Sequence, residues 1–182
     1  MRTFSPPRSV EWYTPTELVW LLQDYFEGPI PLDPCAPPDN PTRAKKFFTK
    51  RQNGLRRSWK SGGVYAAPPF GQEFPDWAKK IAKEAARGIP IIALLSCSSR
   101  QSTAYWQEHI LSPYLNCTCT VRGKVQFWSP EAWSPSGNKF DSAFYGYNVD
   151  PYRFFGVFSR RGVCKLVSSD PRFARRYSWG RN

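Results

Sequence analysis

Proline occurs eighteen times in the 182 residues. Each proline locks φ and removes a backbone donor, so regular elements have to be short and fit between them. With twelve glycines alongside, the chain is expected to be rich in turns. Two proline clusters stand where a strand-like run stops. Ile30-Pro31-Leu32-Asp33 enters a loop running from Pro34 to Pro41, and Gly63-Val64-Tyr65-Ala66-Ala67 ends at Pro68-Pro69.

Between these clusters the apolar periodicity indicates alternating elements. Thr14 reads as an N-cap, Pro15 as a first helical residue and Glu17 as the partner in a capping box. The helix that follows should bury Leu18, Leu21, Leu22, Tyr25 and Phe26 and stop at Gly28-Pro29. A second helix should begin near Pro75, bury Trp77, Ile81, Ala82 and Ala85, and stop at Gly88. Ile89–Leu95 is the clearest buried strand, and Ser102 is placed to cap a helix through Thr103–Ile110. Further strands are expected at 117–121, 124–127, 143–147 and 154–158. Strands alternating with helices give an α/β sheet with helices against its faces, a class that binds ligands beyond the carboxyl ends of its strands. Both proline turns fall at such ends.

A hydrophobic fraction of 41%, with 16% aromatic residues, is enough for one domain with its own core. Residues 1–10 are expected to form an arm, 11–159 the domain and 160–182 a basic tail. The longest apolar run, Ile89–Leu95, is interrupted by Pro90 and is too short to span a bilayer. With no targeting segment visible, a cytoplasmic setting is expected. The five cysteines, Cys35, Cys97, Cys117, Cys119 and Cys164, are odd in number and are expected to be reduced thiols. Their spacing with His109, the only histidine, matches no common zinc pattern, so no metal is expected.

The formal net charge is +12, which points to a polyanionic partner, nucleic acid foremost. No acid lies between Asp39 and Glu73, while Arg43, Lys45, Lys46, Lys50, Arg51, Arg56, Arg57 and Lys60 do. The tail adds Arg160, Arg161, Lys165, Arg172, Arg175, Arg176 and Arg181, interleaved with Phe173, Tyr177 and Trp179. Cations of this kind neutralise phosphates, and rings stack on exposed bases.

Several segments, in order, carry a resemblance. They are Glu11-Trp12-Tyr13-Thr14-Pro15; Leu32-Asp33-Pro34-Cys35-Ala36; Gly54-Leu55, then Trp59; Tyr65-Ala66-Ala67-Pro68-Pro69-Phe70-Gly71, then Trp77; and Arg122-Gly123-Lys124-Val125-Gln126-Phe127. Together they resemble the phage-type DNA N-6-adenine methyltransferases over roughly residues 11–128. The resemblance implies a Rossmann-like methyltransferase sheet with helices on both faces, S-adenosylmethionine as cofactor, and DNA as partner in a phage or prophage context. It implicates Tyr13, Thr14, Pro15, Asp33, Pro34 and Cys35 at the amino acid end of the cofactor. It places Ala67, Pro68, Pro69 and Phe70 at the target base, and leaves Lys45, Lys46, Arg56, Arg57, Arg160, Arg161, Arg175 and Arg176 to grip DNA. The residue types fit independently. A carboxylate at a strand end pairs with an ammonium group, and a helix N-terminus receives a carboxylate.

Two departures stand out. The family's usual Asp, Asn or Ser before Pro-Pro is Ala67 here, whose methyl accepts no hydrogen bond. The carbonyls of Ala67 and Pro68 and the ring of Phe70 remain. The expected activity is therefore methyl transfer to adenine N6 (or cytosine N4). The alternative is a weakened methyltransferase scaffold that binds DNA or cofactor. Secondly, no acid follows the second strand to hold ribose hydroxyls, which leaves Gln52, Asn53 or Asp39 for that task.

Overall fold

The computed structural model describes residues 12–97, 101–130 and 138–167. Three α-helices lie among them: α1 (Thr16–Phe26), α2 (Phe74–Ala85) and α3 (Pro151–Phe158). The strands are β1 (Leu32–Asp33), β2 (Lys46–Phe47), β3 (Val64–Ala66), β4 (Ile91–Ser96), β5 (Leu115–Val121), β6 (Val125–Phe127), β7 (Asn138–Phe140), β8 (Ser142–Tyr147) and β9 (Gly162–Leu166). The main sheet is mixed, in the order β3-β4-β8-β5-β9. Only β3 and β4 run parallel within it; β8, β5 and β9 join by antiparallel pairing. β1 and β2 form a separate parallel pair, and β6 and β7 an antiparallel one.

The period-2 alternation of the strands divides the core in two. Val64, Ala66, Ile91, Ala93, Leu95, Ala143, Tyr145 and Tyr147 face a cluster completed by Phe74, Trp77, Ala78, Ile81 and Ala85 of α2. Tyr65, Ile92, Leu94, Cys117, Cys119 and Phe144 face the opposite cluster, completed by Leu18, Leu22 and Tyr25 of α1 and Phe154 and Phe158 of α3. The fold is thus mixed α/β, with helices on both faces of a five-stranded sheet. α2 runs close to its expected bounds, and Gly88 follows it at φ +81°. Of the residues expected on its buried face, Ala82 is only half-buried, and Glu84 is buried instead, paired with Lys80 at 2.6 Å.

Four local expectations are corrected. Thr14 does not cap α1: Pro15 holds the cap position with no side-chain bond. The Thr14 hydroxyl instead meets the hydroxyl of buried Tyr65 at 2.7 Å, a buried phenol that needs a partner. Residues 154–158, expected as a strand, belong to α3. The aspartate of Asp150 accepts from the Tyr152 amide at 2.9 Å, Pro151 opens the helix, and this start signal outweighs the β preference of the phenylalanines. The helix expected at 103–110 contains a π-helical segment over Trp106–Ile110. Within the expected tail, Gly162–Leu166 is the edge strand of the main sheet. Residues 168–182, including Arg172, Arg175, Arg176 and Arg181, lie outside the described residues, as does the expected arm 1–10.

Gly162 of β9 and Gly156 of α3 have opposite surroundings. A Cβ on Gly162 would lie 2.0 Å from the Thr120 carbonyl oxygen, whereas one on Gly156, exposed in α3, meets nothing within 4 Å. Gly162→Ala should therefore lower stability by about 1–3 kcal/mol, and Gly156→Ala should raise it by about 0.5–1 kcal/mol. Denaturant midpoints of the two variants check both signs.

Candidate active site

The candidate site gathers the sequence segments named above. β1 lies beside β3, and each ends in one of the two proline turns. After β1, the Asp33 carboxylate is buried and takes bonds from the Cys35 amide, the Cys35 thiol and the Thr42 hydroxyl. Oδ1 accepts from the Cys35 amide at 3.0 Å, and Oδ2 from the Thr42 hydroxyl at 2.8 Å. Burial pushes its pKa up to about 6, against the lowering effect of those donors. The next residues bring the two turns together, because the thiol of Cys35 faces the backbone amide of Ala67. Burial raises that thiol's pKa well above the ordinary value, so it is protonated at neutral pH.

Pro34 is buried and is held from the other side. A Cβ on Gly54 would lie 1.9 Å from the Pro34 carbonyl oxygen, so only glycine fits there. The Gly54 carbonyl in turn accepts from the buried Trp59 indole at 3.0 Å. This contact explains why Gly54 and Trp59 accompany the Asp-Pro turn in the sequence.

The N-terminal segment closes the group. Thr14 reaches Tyr65 on β3, as described, and Pro15 is buried at the start of α1. The Tyr13 hydroxyl donates to Asp39 Oδ1 at 2.8 Å. Tyr13 also exchanges backbone bonds with Trp128 at 2.7 and 3.3 Å, with the two rings edge-on at 4.8 Å. Beyond β3, Ala67 is half-buried, its methyl against the α1-side core. Pro68 is buried and Pro69 exposed. Phe70 is half-buried, stacked at 6.3 Å on Phe74 and edge-on at 6.1 Å to Phe127. Phe127 belongs to the Arg122–Phe127 segment, so that stretch also reaches the turn. Trp128, one residue further on, was missed; its only sequence signal was its adjacency to that segment.

Of the three residues considered for ribose, Asp39 is joined directly to this group through Tyr13. The Gln52 side chain instead accepts from the Thr49 amide and hydroxyl at 2.9 and 3.2 Å, and Asn53 occupies a left-handed turn at φ 54°.

The expected DNA-gripping cations fall into two groups. Arg43, Lys45, Lys46, Lys50, Arg51, Arg56, Arg57 and Lys60 are all exposed, and none forms an ion pair among the described residues. Arg160 and Arg161 are instead paired with carboxylates of α1, Asp24 at 2.7 Å and Glu17 at 3.6 Å. Any phosphate would compete with those partners. Among the described residues no three His, Cys, Asp or Glu side chains gather to hold a metal, and no helix is long and apolar enough to cross a membrane.

Asp33 has a measurable signature. Its folded pKa of about 6 stands above the ordinary 3.8, so the folded chain binds the extra proton between those values. Stability therefore rises as pH falls from 7 towards 4, by about 3 kcal/mol from this group. Unfolding titrations of the wild type and Asp33→Asn across that window should differ by this slope; parallel curves would place Asp33 in a solvated setting.

No curated protein matches the chain. A family model does match, over residues 5–148: DNA N-6-adenine-methyltransferase (Dam). That span covers most of the 182 residues and contains both proline turns, the aromatic-Thr-Pro segment and the stretch leading to Phe127, and the chain therefore belongs to the DNA N-6-adenine-methyltransferase (Dam) family.

Proposed function

We propose that this chain transfers a methyl group from S-adenosylmethionine to the N6 amino group of an adenine in DNA, in a phage or prophage context and in the host cytoplasm. The observation that carries the reading is the meeting of the Asp33-Pro34-Cys35 turn with the Ala67-Pro68-Pro69-Phe70 turn, the Cys35 thiol against the Ala67 amide. Family membership supplies the chemistry. The sheet, with ligand turns at strand ends, is read as Rossmann-like.

The donor set fits the cofactor. Asp33 is a buried carboxylate with no cation beside it, and its hydrogen bonds, from the Cys35 amide and thiol and the Thr42 hydroxyl, all come from neutral donors. An ammonium group there would remove the cost of burying the charge. The first amides of α1, next to Thr14 and Pro15, suit the cofactor's carboxylate. Asp39, held by Tyr13, suits the ribose hydroxyls. When bound, the cofactor provides an activated methyl group.

The chain's own residues do the rest. A base within a duplex is out of reach and has to be flipped. Phe70, backed by Phe74 and Phe127, offers its ring to the extruded base. The carbonyls of Ala67 and Pro68 accept hydrogen bonds from the amine and aim its nitrogen at the methyl group. The unpaired cations of the Arg43–Lys60 run, Lys45, Lys46, Arg56 and Arg57 among them, neutralise phosphates. Arg160 and Arg161 join if DNA displaces their α1 partners, and Arg175 and Arg176 of the tail add to the same grip.

A second reading is favoured by one specific observation: Ala67 puts a methyl where the family usually has an acceptor. In that reading the scaffold binds DNA and cofactor but transfers methyl groups poorly. Incubation with labelled S-adenosylmethionine and unmethylated DNA, followed by nucleoside analysis, tests both readings. N6-methyladenine is expected, and Ala67→Asn should raise its rate by about ten- to a thousandfold through one added transition-state hydrogen bond. A wild type already fast and slowed by Ala67→Asn would show that the backbone carbonyls suffice. Binding of both ligands without transfer in either protein would establish the second reading.

A further inference from the structure

β6 and the residues flanking it place two very different rows of side chains on two faces. Val125, Phe127 and Ser129 point inward and are buried, whereas Lys124, Gln126 and Trp128 alternate with them and are exposed. A cation, an amide and an indole thus follow one another along one outward edge, two residues apart. Strand geometry spaces successive members by about 7 Å.

Trp128 is the unusual member. It remains 45% exposed, although its backbone is pinned to Tyr13 by two hydrogen bonds and its ring meets Tyr13 only edge-on. The adjoining Phe127 lies against Phe70 of the Pro-Pro turn. The indole is therefore presented to solvent beside Tyr13, on the face of the strand opposite Phe127 and its contact with Phe70. Trp20 and Tyr152 are exposed further still, but they stand on α1 and α3, where Asp24 and Arg153 form ion pairs.

We propose that Trp128 stacks on a nucleobase next to the target adenine and holds the DNA open while that adenine occupies the site, with Lys124 on the adjoining phosphate. This rests on the methyltransferase reading above and adds to it a positioning residue that acts on the DNA rather than on the cofactor. Flipping a base leaves its neighbours without a stacking partner, and a solvent-facing indole next to Tyr13 supplies one. A net charge of +12 and the unpaired Arg43–Lys60 cations bring the polyanion to the same molecule. Base–aromatic stacking tolerates sequence, so Trp128 contributes grip rather than a recognition code.

The test uses the full chain and a short duplex containing one mispaired adenine, the easiest base to extrude. Trp128→Ala should weaken binding about tenfold or more. Trp128→Phe should recover most of the loss, and Trp20→Ala should leave affinity unchanged. S-adenosylmethionine affinity should be the same in all four proteins. With 5-iododeoxyuridine beside the mispaired adenine, irradiation should crosslink the DNA to Trp128. Wild-type affinity in Trp128→Ala, or a loss in both Trp128 variants matched by lost cofactor affinity, would overturn the assignment and leave Trp128 as a prop for Tyr13. A wild type with no affinity for the duplex would overturn the DNA reading itself, and this inference with it.

Discussion

The carboxylate of Asp33 is buried, and the polypeptide around it is arranged to satisfy it. Its two oxygens take the Cys35 amide and the Thr42 hydroxyl, and its carbonyl accepts from the Phe48 amide at 2.9 Å. One residue thereby ties β1 to both ends of the proline-rich loop. From that anchor the rest of the site follows in short steps. Pro34 is clamped by Gly54, Gly54 by Trp59, and Cys35 reaches the Ala67 amide. A loop with so many prolines has few backbone donors of its own, so side-chain and carbonyl contacts carry its conformation. Burying a carboxylate with only neutral donors raises its proton affinity. That cost is tolerable in a protein if a cation completes the site.

The charge distribution shows a second level of organisation. On the α1–α3 side, arginines and acids pair off: Asp24 with Arg160, Glu27 with Arg153, Glu17 with Arg161. Exposed pairs of this kind add little stability, but they neutralise that surface. The Arg43–Lys60 stretch has no such compensation. The uneven use of acids, rather than the total of cations, leaves that stretch with uncompensated positive charge.

Much of this could be read from the residues, for identifiable reasons. α2 and β4 have clear periodicity and glycine or proline boundaries, and they lie close to where the pattern put them. The two proline turns were visible because proline is an unambiguous stop. Other features depended on information outside their own segments. The phenylalanines of 154–158 resemble a strand until Asp150-Pro151 is recognised as a helix start. β9 has only a short apolar pattern and is held in place by pairing with β5, a long-range partner that no local window contains. Thr14 looks like a cap because Ser and Thr before Pro usually are; its hydroxyl is committed instead to a tyrosine fifty-one residues away. Arg160 and Arg161 could be counted as cations from the sequence, but their acid partners on α1 appear only once the helices are packed.

Asp33 is the proposed counter-charge for the cofactor's ammonium group, and its raised pKa makes that role directly measurable. Calorimetric titration of S-adenosylmethionine into the wild type between pH 5 and 7 should show affinity rising about tenfold as the carboxyl ionises near pH 6, with weak, nearly pH-independent binding in Asp33→Asn. Equal affinity across that range in both proteins, or no binding by a folded wild type, would contradict it.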